Sequence, residues 1–416
     1  MEDRELRRHA FRSLLVTARN RHARSDATQE RFVHARVRAG TLLGLCQLVL
    51  CLLFGWSVAS PAAQPDPTGV WIGTWERDGS VLDVQMSFSR NASDYTGSFS
   101  SAQLRVVGAP LDAVTYDARR LTWQVASNET PSSFEGTLDG NVLNGTFHEG
   151  PATGTFAFAR STSTDTSVRE EDISFSNGAV KLGGSVVLPA GQAPFAGVVF
   201  VPGSGAEGRW ASRYLAHEFA RHGIAGLIYD ARGAGALNGD GHTAGFADLV
   251  GDATAAVEAM RARADIAPDR VGIHGHGQGA TIAPWVASAD PRVAFVAASA
   301  ADIGIADHDA LAYWRQVTVP VALLYGEQDE RVPARLSAQR IAEAYLGAKG
   351  PRLEVMFFPL ADHDYRWRPE SGGRFAWPRT VPDYPARLID WVVEVSKPCA
   401  CKGGDATDGA TLTGSH

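Results

Sequence analysis

Hydrophobic and polar positions change rhythm twice along the 416-residue chain. From about 68 to 160, apolar residues alternate with polar ones, as at Leu82, Val84, Met86 and Phe88, the period of a half-buried strand. Gly136-Thr137-Leu138, Gly145-Thr146-Phe147 and Gly154-Thr155-Phe156 recur nine residues apart, a spacing that suits antiparallel strands joined by tight turns such as Asp139-Gly140. No useful helix-period segment interrupts them, so 68–160 is expected to form a small antiparallel sheet or partial barrel. Its residues offer no paired carboxylates and no histidine cluster, so a structural or substrate-orienting role is expected for it.

Polar linkers at 61–67 and 161–170 bracket that region. Beyond them, apolar runs at 196–201, 223–229, 270–274, 293–299, 319–325 and 353–358 alternate with helical stretches at 208–221, 245–263, 278–287, 333–347 and 383–396. This alternation predicts an α/β domain over 172–396, a mostly parallel sheet with helices on both faces and the hairpin 172–188 as its antiparallel start. Leu249, Ala253, Ala256 and Met260 share one face of the helix 245–263, and its charge order, acids first and arginines last, complements the helix dipole. Residues 397–416 read as a flexible tail.

Composition changes the picture mainly at the N-terminus. With 44% hydrophobic and 20% charged residues, the chain is neither disordered nor a small disulfide-stapled module. Net charge is −7, yet residues 1–40 carry ten arginines against five acids, which leaves the rest strongly acidic and argues against nucleic-acid binding. No charge falls between Arg38 and Asp66, Leu42 to Trp56 is almost wholly apolar, and Ser57-Val58-Ala59 has the small-x-small form of a cleavage site. Residues 1–60 therefore read as a basic leader with a signal peptide, which predicts an exported, periplasmic or secreted protein. If uncleaved, 41–59 is a membrane anchor and the sole membrane contact. A translation start downstream of Met1 would also account for the long basic stretch.

Cys46 and Cys51 lie in the apolar segment, while Cys399 and Cys401 are separated by one residue. Two ligands build no closed zinc site, so the latter pair reads as a strained local disulfide or two idle thiols. Asn91, Asn128 and Asn144 fit a glycosylation pattern that requires a eukaryotic secretory host.

In an open sheet, chemistry sits at the C-terminal ends of the strands. The sharpest candidate there is Val271-Gly272-Ile273-His274-Gly275-His276-Gly277-Gln278-Gly279-Ala280, a strand run that turns through glycines straight into a helix. Gly275 and Gly279 are small enough for backbone to cross backbone closely. With this stretch, the chain resembles the α/β-hydrolase family over roughly 172–396, especially exported serine hydrolases related to serine aminopeptidases and prolyl-oligopeptidase-like esterases. Val201-Pro202-Gly203-Ser204-Gly205 resembles the family's His-Gly-Ser-Gly loop, with proline where histidine is usual. Tyr229-Asp230-Ala231-Arg232-Gly233 is similar to its Tyr-Asp-x-Arg-Gly turn. Gly326-Glu327-Gln328-Asp329 with Val332-Pro333 resembles the acid-bearing turn, and Ala361-Asp362-His363 lies where the family's histidine belongs. The strand-rich leader also looks like the β domain that some members carry.

The resemblance implies a nucleophile at the middle of Gly275-His276-Gly277-Gln278-Gly279, where the family reads Gly-His-Ser-Gln-Gly. Gly277 stands there and has no hydroxyl to attack an acyl carbon. His363 as base, Asp329 as its orienting acid, and the Ser204 and Gln278 amides as an oxyanion hole are implied to remain. The Ser204 hydroxyl is a poor substitute, since its amide is the group expected to face substrate. His276 and His274 read as structural, Asp230 and Arg232 as braces of their turn, and Arg209 as an orienting residue or an acid binder. Asp307, His308 and Asp309 read as a solvated loop, because consecutive side chains diverge. No cofactor or metal is expected, and no phosphate cradle, since the lysine and serine or threonine of that motif are missing.

Fewer than twenty residues separate the strand ending near Ala300 from the one at Val319, which leaves no room for the long lid many relatives insert. The expected pocket is open and rimmed by Tyr313, Trp314, the Tyr365-Arg366-Trp367 segment and Trp377, admitting a small-molecule ester, amide or peptide. Three readings stand: a hydrolase of esters or amides by family, a silent homologue that binds a small molecule, peptide or protein through the retained cleft, and weak hydrolysis by water activated at His363.

Overall fold

In the computed structural model, residues 65–398 are described, except 93, 127–130, 163–166, 206, 235–243, 305–309, 349 and 370–374. The predicted leader, its cysteines, Asn128, the 307–309 cluster and Cys399 and Cys401 lie outside those residues. Among the described residues no helix is long and apolar enough to cross a membrane.

Nine antiparallel strands come first: β1 (Gly69–Arg77), β2 (Ser80–Asn91), β3 (Asp94–Ser101), β4 (Val106–Pro110), β5 (Asp112–Asp117), β6 (Arg120–Val125), β7 (Ser132–Asp139), β8 (Val142–Glu149) and β9 (Ala152–Ser161). They form one sheet in the order β4-β3-β2-β1-β9-β8-β7-β6-β5. At the junction of β4 and β5 the Leu111 N–H donates to Gly97 O at 2.9 Å, which draws the two ends of the sheet together. The alternation dictates which residues turn inward. Leu82, Val84, Met86 and Phe88 are all buried, and with Trp71, Trp75, Trp123, Phe134, Phe147 and Phe156 they build an aromatic core. The triplets beginning at Gly136, Gly145 and Gly154 fall on β7, β8 and β9.

The second sheet holds β10 (Val168–Asn177), β11 (Val180–Pro189), β12 (Phe195–Val201), β13 (Ile224–Tyr229), β14 (Ile266–His276), β15 (Val296–Ser299), β16 (Val321–Gly326) and β17 (Leu353–Phe358) in the order β10-β11-β13-β12-β14-β15-β16-β17. β10, β11 and β13 pair antiparallel, and every later pairing is parallel. Among the described residues six helices cover it: α1 (Trp210–Arg221), α2 (Phe246–Arg261), α3 (Gln278–Ala289), α4 (Ala310–Trp314), α5 (Ala334–Gly347) and α6 (Asp383–Val395). Both sheet faces carry a buried apolar cluster, one with α2 and α3 around Val199, Ile273 and Met260, the other with α1 and α6 around Phe200, Phe219 and Trp391. This is the α/β-hydrolase fold preceded by a small closed antiparallel sheet. The strand and helix expectations hold to within a few residues. β14 starts earlier, at Ile266, because the segment 266–270 continues extended beside Phe195.

Strand order fixes where a site can form. The chain goes from β12 to β13 on one side and then to β14 on the other, so the connections after β12 and β14 run to opposite faces of the sheet, the switch point at which open α/β sheets place their sites. Trp123 lies in the first sheet's core, 1% exposed and stacked on Phe134 at 5.1 Å. Trp123→Ala is expected to destabilise the protein by about 3–5 kcal/mol, read as a lowered urea midpoint.

Candidate active site

The turn from β14 into α3 forces a close backbone crossing. A Cβ on Gly275 would lie 2.1 Å from the Gly279 carbonyl carbon, and one on Gly279 would lie 2.6 Å from Val201 O, so both must be glycine. Gly277 stands between them at φ +53° and ψ −113°, a conformation that costs a side-chain-bearing residue roughly 1–3 kcal/mol. Its N–H donates to Ser299 O at 2.9 Å, which ties the turn to the end of β15. The direction a side chain would take from Gly277 is open except toward one group: a Cβ there would meet His363 Nε2 at 3.5 Å.

His363 follows β17 and Asp329 follows β16, so neighbouring parallel strands deliver both to the same edge of the sheet. Nδ1 of His363 lies 2.8 Å from Asp329 Oδ2, and Asp329 Oδ1 accepts the N–H groups of Arg331 at 2.8 Å and Val332 at 3.0 Å. The Asp329 side chain is fully buried and that of His363 is 14% exposed. Burial works against the Asp329 charge, but the His363 hydrogen bond and the two backbone donors outweigh it and hold the carboxyl below the usual carboxylate range. An ionised Asp329 can only accept, so Nδ1 carries the proton of this bond and Nε2 is the ring nitrogen that faces Gly277.

Two further histidines support this edge. His276 Nε2 lies 2.8 Å from His363 O, and its ring meets the His363 ring edge-on at 4.9 Å. Burial and the neighbouring His363 lower its pKa. His274 is buried, bonds Ser299 Oγ at 3.1 Å, and is pushed down to about 3 by burial, so it stays neutral. Both have the structural placement expected of them. Arg209 donates to Asp230, Asp172, Gly184 O and Ser185, and Arg232 donates to Asp252, so these residues fasten turns beside the site.

The loop after β12 lies against the turn, with a Cβ on Gly279 also within 2.9 Å of Pro202 O. Ser204 is exposed on that loop, and Gln278 opens α3 directly after Gly277. The first N–H groups of a helix have no intrahelical partner and favour negative charge. Glu207 gave no sequence signal beyond being an acid in a glycine-rich loop. Its buried carboxylate accepts the Gly203 N–H at 3.2 Å and so holds the loop from behind. Burial and nearby Asp364 raise its pKa to about 7, although the Gly203 bond favours the charge.

The expected aromatic rim is corrected at three positions. Trp314 is 1% exposed in the core beside α3, because α4 turns its indole inward. Tyr365 is also 1% exposed, stacked on Tyr384 at 3.7 Å. Trp377 packs against the core of the first sheet. Tyr313 stacks on Trp285 at 4.3 Å.

His276, His363 and Asp364 bring potential ligand atoms within 4.8 Å of one another. Ligands sharing one zinc at about 2.0–2.2 Å stand no more than about 4 Å apart, and His276 Nε2 is already engaged by His363 O. We assign no ion to this group.

The family model for serine aminopeptidase, S33, matches residues 192–315, a stretch that contains the β14–α3 turn but neither Asp329 nor His363. Among solved structures the chain is similar to a dienelactone hydrolase from Anabaena variabilis, at 21% identity over 55% of this chain and 96% of that one, with a TM-score of 0.42. It is also similar to an esterase from Pyrococcus furiosus, at 19% identity over 56% and 94%, TM-score 0.44. A cold-adapted esterase from an Arctic intertidal metagenomic library gives 19% identity over 56% and 97%, also with a TM-score of 0.44. A search of curated proteins finds no match. The matched stretch is that of a hydrolase family model, and the strand order described above is that of the α/β-hydrolase fold.

Glu207 offers a check on the site's electrostatics. Its folded pKa lies above the unfolded carboxylate value, so the folded state binds the proton more tightly. Stability should therefore fall as pH rises between about 4.5 and 7, by at most about 1.4 kcal/mol per pH unit. Glu207→Gln should flatten that decline in urea midpoints measured across the same range.

Proposed function

We propose that the chain is a serine-hydrolase-type protein whose nucleophile position is occupied by Gly277, and that its cleft binds an ester, amide or peptide without turning it over by acylation. The observation that carries this reading is the open space beyond Gly277 facing His363 Nε2 at 3.5 Å, with Asp329 bonded behind the imidazole at 2.8 Å. In that arrangement His363 is the base, Asp329 fixes its tautomer, and the Ser204 and Gln278 amides receive a carbonyl oxygen. Without a hydroxymethyl group no covalent acyl intermediate forms, so the parts that remain bind and polarise a carbonyl only. Export of this body, periplasmic or secreted, belongs to the same proposal and rests on the basic leader and apolar segment of the sequence.

Turnover of a short-acyl nitrophenyl ester by the purified full chain tests it. Gly277→Ser is expected to raise turnover by about 10³-fold or more, and His363→Ala in the same chain should abolish the gain. The restored side chain should also cost roughly 1–3 kcal/mol of stability through its positive φ. If the unaltered chain hydrolyses the ester and needs His363 to do so, water attack replaces silence as the function.

A further inference from the structure

His363 opens a segment that leaves the second sheet, touches the first, and returns. β18 (Arg366–Trp367) and β19 (Arg379–Thr380) pair as the two sides of this arm. Beyond them, Phe375 lies under the Arg77 guanidinium at 3.9 Å and Trp377 packs on the aromatic core of the first sheet. The Trp377 ring is 6.2 Å from both Trp75 and Phe147 and 4.9 Å from Phe375. Its indole N–H is buried with no hydrogen-bond partner among the described residues, so ring packing holds it. Where the arm returns, Arg105, from the turn between β3 and β4, donates to Val381 O at 3.2 Å and Pro382 O at 3.0 Å.

Those contacts reach His363 through short bonds. Val381 N–H donates to Tyr365 O at 2.8 Å and Asp362 N–H donates to Arg366 O at 3.0 Å, so the arm grips the chain on both sides of His363. From the core side, Tyr365 anchors it through its hydroxyl to Leu324 O at 2.6 Å and its ring on Tyr384, while His276 Nε2 bonds His363 O and Asp329 bonds the imidazole, each at 2.8 Å. Those bonds hold the loop on the sheet side, and the arm adds a constraint from the opposite side, on Asp362 and Tyr365.

We propose that the first sheet sets the position of His363 through this arm, with Trp377 and Arg105 as its positioning residues. Neither side chain is placed at Gly277, and both act through Asp362 and Tyr365. The proposal rests on reading His363 as the working base. It assigns the first sheet a part in the chemistry that its own side chains do not supply.

The full chain carrying Trp377→Ala, Trp377→Phe or Arg105→Met is compared with the unaltered protein by proton NMR, following the downfield Nδ1 proton of His363 assigned by its loss in His363→Ala. Trp377→Ala and Arg105→Met should broaden or erase the signal, and Trp377→Phe should keep it. In the Gly277→Ser background, kcat should fall by about 10- to 100-fold with KM little changed. An unaltered proton signal in folded Trp377→Ala or Arg105→Met overturns the proposal. If Trp377→Ala does not fold, Arg105→Met decides. If Gly277→Ser has no activity, the functional reading fails while the NMR comparison still judges the arm.

Discussion

Everything at the candidate site depends on the distance between two backbones. Strand β14 runs into helix α3 so closely that no atom beyond hydrogen fits on Gly275 or Gly279. That contact places the start of α3 against the loop after β12, at the switch point of the strand order. A methyl group at either glycine would push helix from strand, and the facing loop would move with it. The parallel register then does the rest, because β16 and β17 end beside one another and carry Asp329 and His363 to the same edge.

Polar groups around this crossing are arranged in layers. Nearest the site, Asp329 is saturated by His363 and two backbone N–H groups. Beneath it, neutral His276 and His274 carry hydrogen bonds without burying charge, through His363 O and Ser299. Farther out, Arg209 and Arg232 pair with Asp230 and Asp252 where two turns leave the sheet. Glu207 departs from this economy. It is buried behind the loop with one backbone donor and, among the described residues, no cation bonded to it, which is why its proton is held near neutral pH.

Periodicity made most of the architecture legible. Alternation at 82–88 and the strand–helix rhythm after 190 are direct consequences of which faces must be buried, so the elements follow from the sequence within a few residues. The glycine-punctuated stretch from Val271 to Ala280 was legible for the same kind of reason, since its spacing is set by a steric contact. What local pattern could not show was long-range packing. Trp314, Tyr365 and Trp377 look like rim residues because they sit in loops or short helices near the site, yet each ring is taken up by an apolar surface brought there by distant chain. Glu207 was hidden likewise, its burial depending on the fold and on no neighbour in sequence. The roles of Gly277, Asp329, His363, Ser204 and Gln278 rest on resemblance joined to geometry, and experiment decides them.

On the proposed reading of Gly277 as a nucleophile position, its positive φ gives the position an evolutionary direction. While acylation is under selection, a serine there is retained against a standing cost in stability. Once turnover ceases to matter, selection for a folded chain favours the glycine, since it removes strain and disturbs no packing. Loss of the hydroxyl is then a downhill substitution and its recovery an uphill one. On that reading, homologues that fall silent collect glycine at the turn while the surrounding bonds persist, for those bonds also hold the fold.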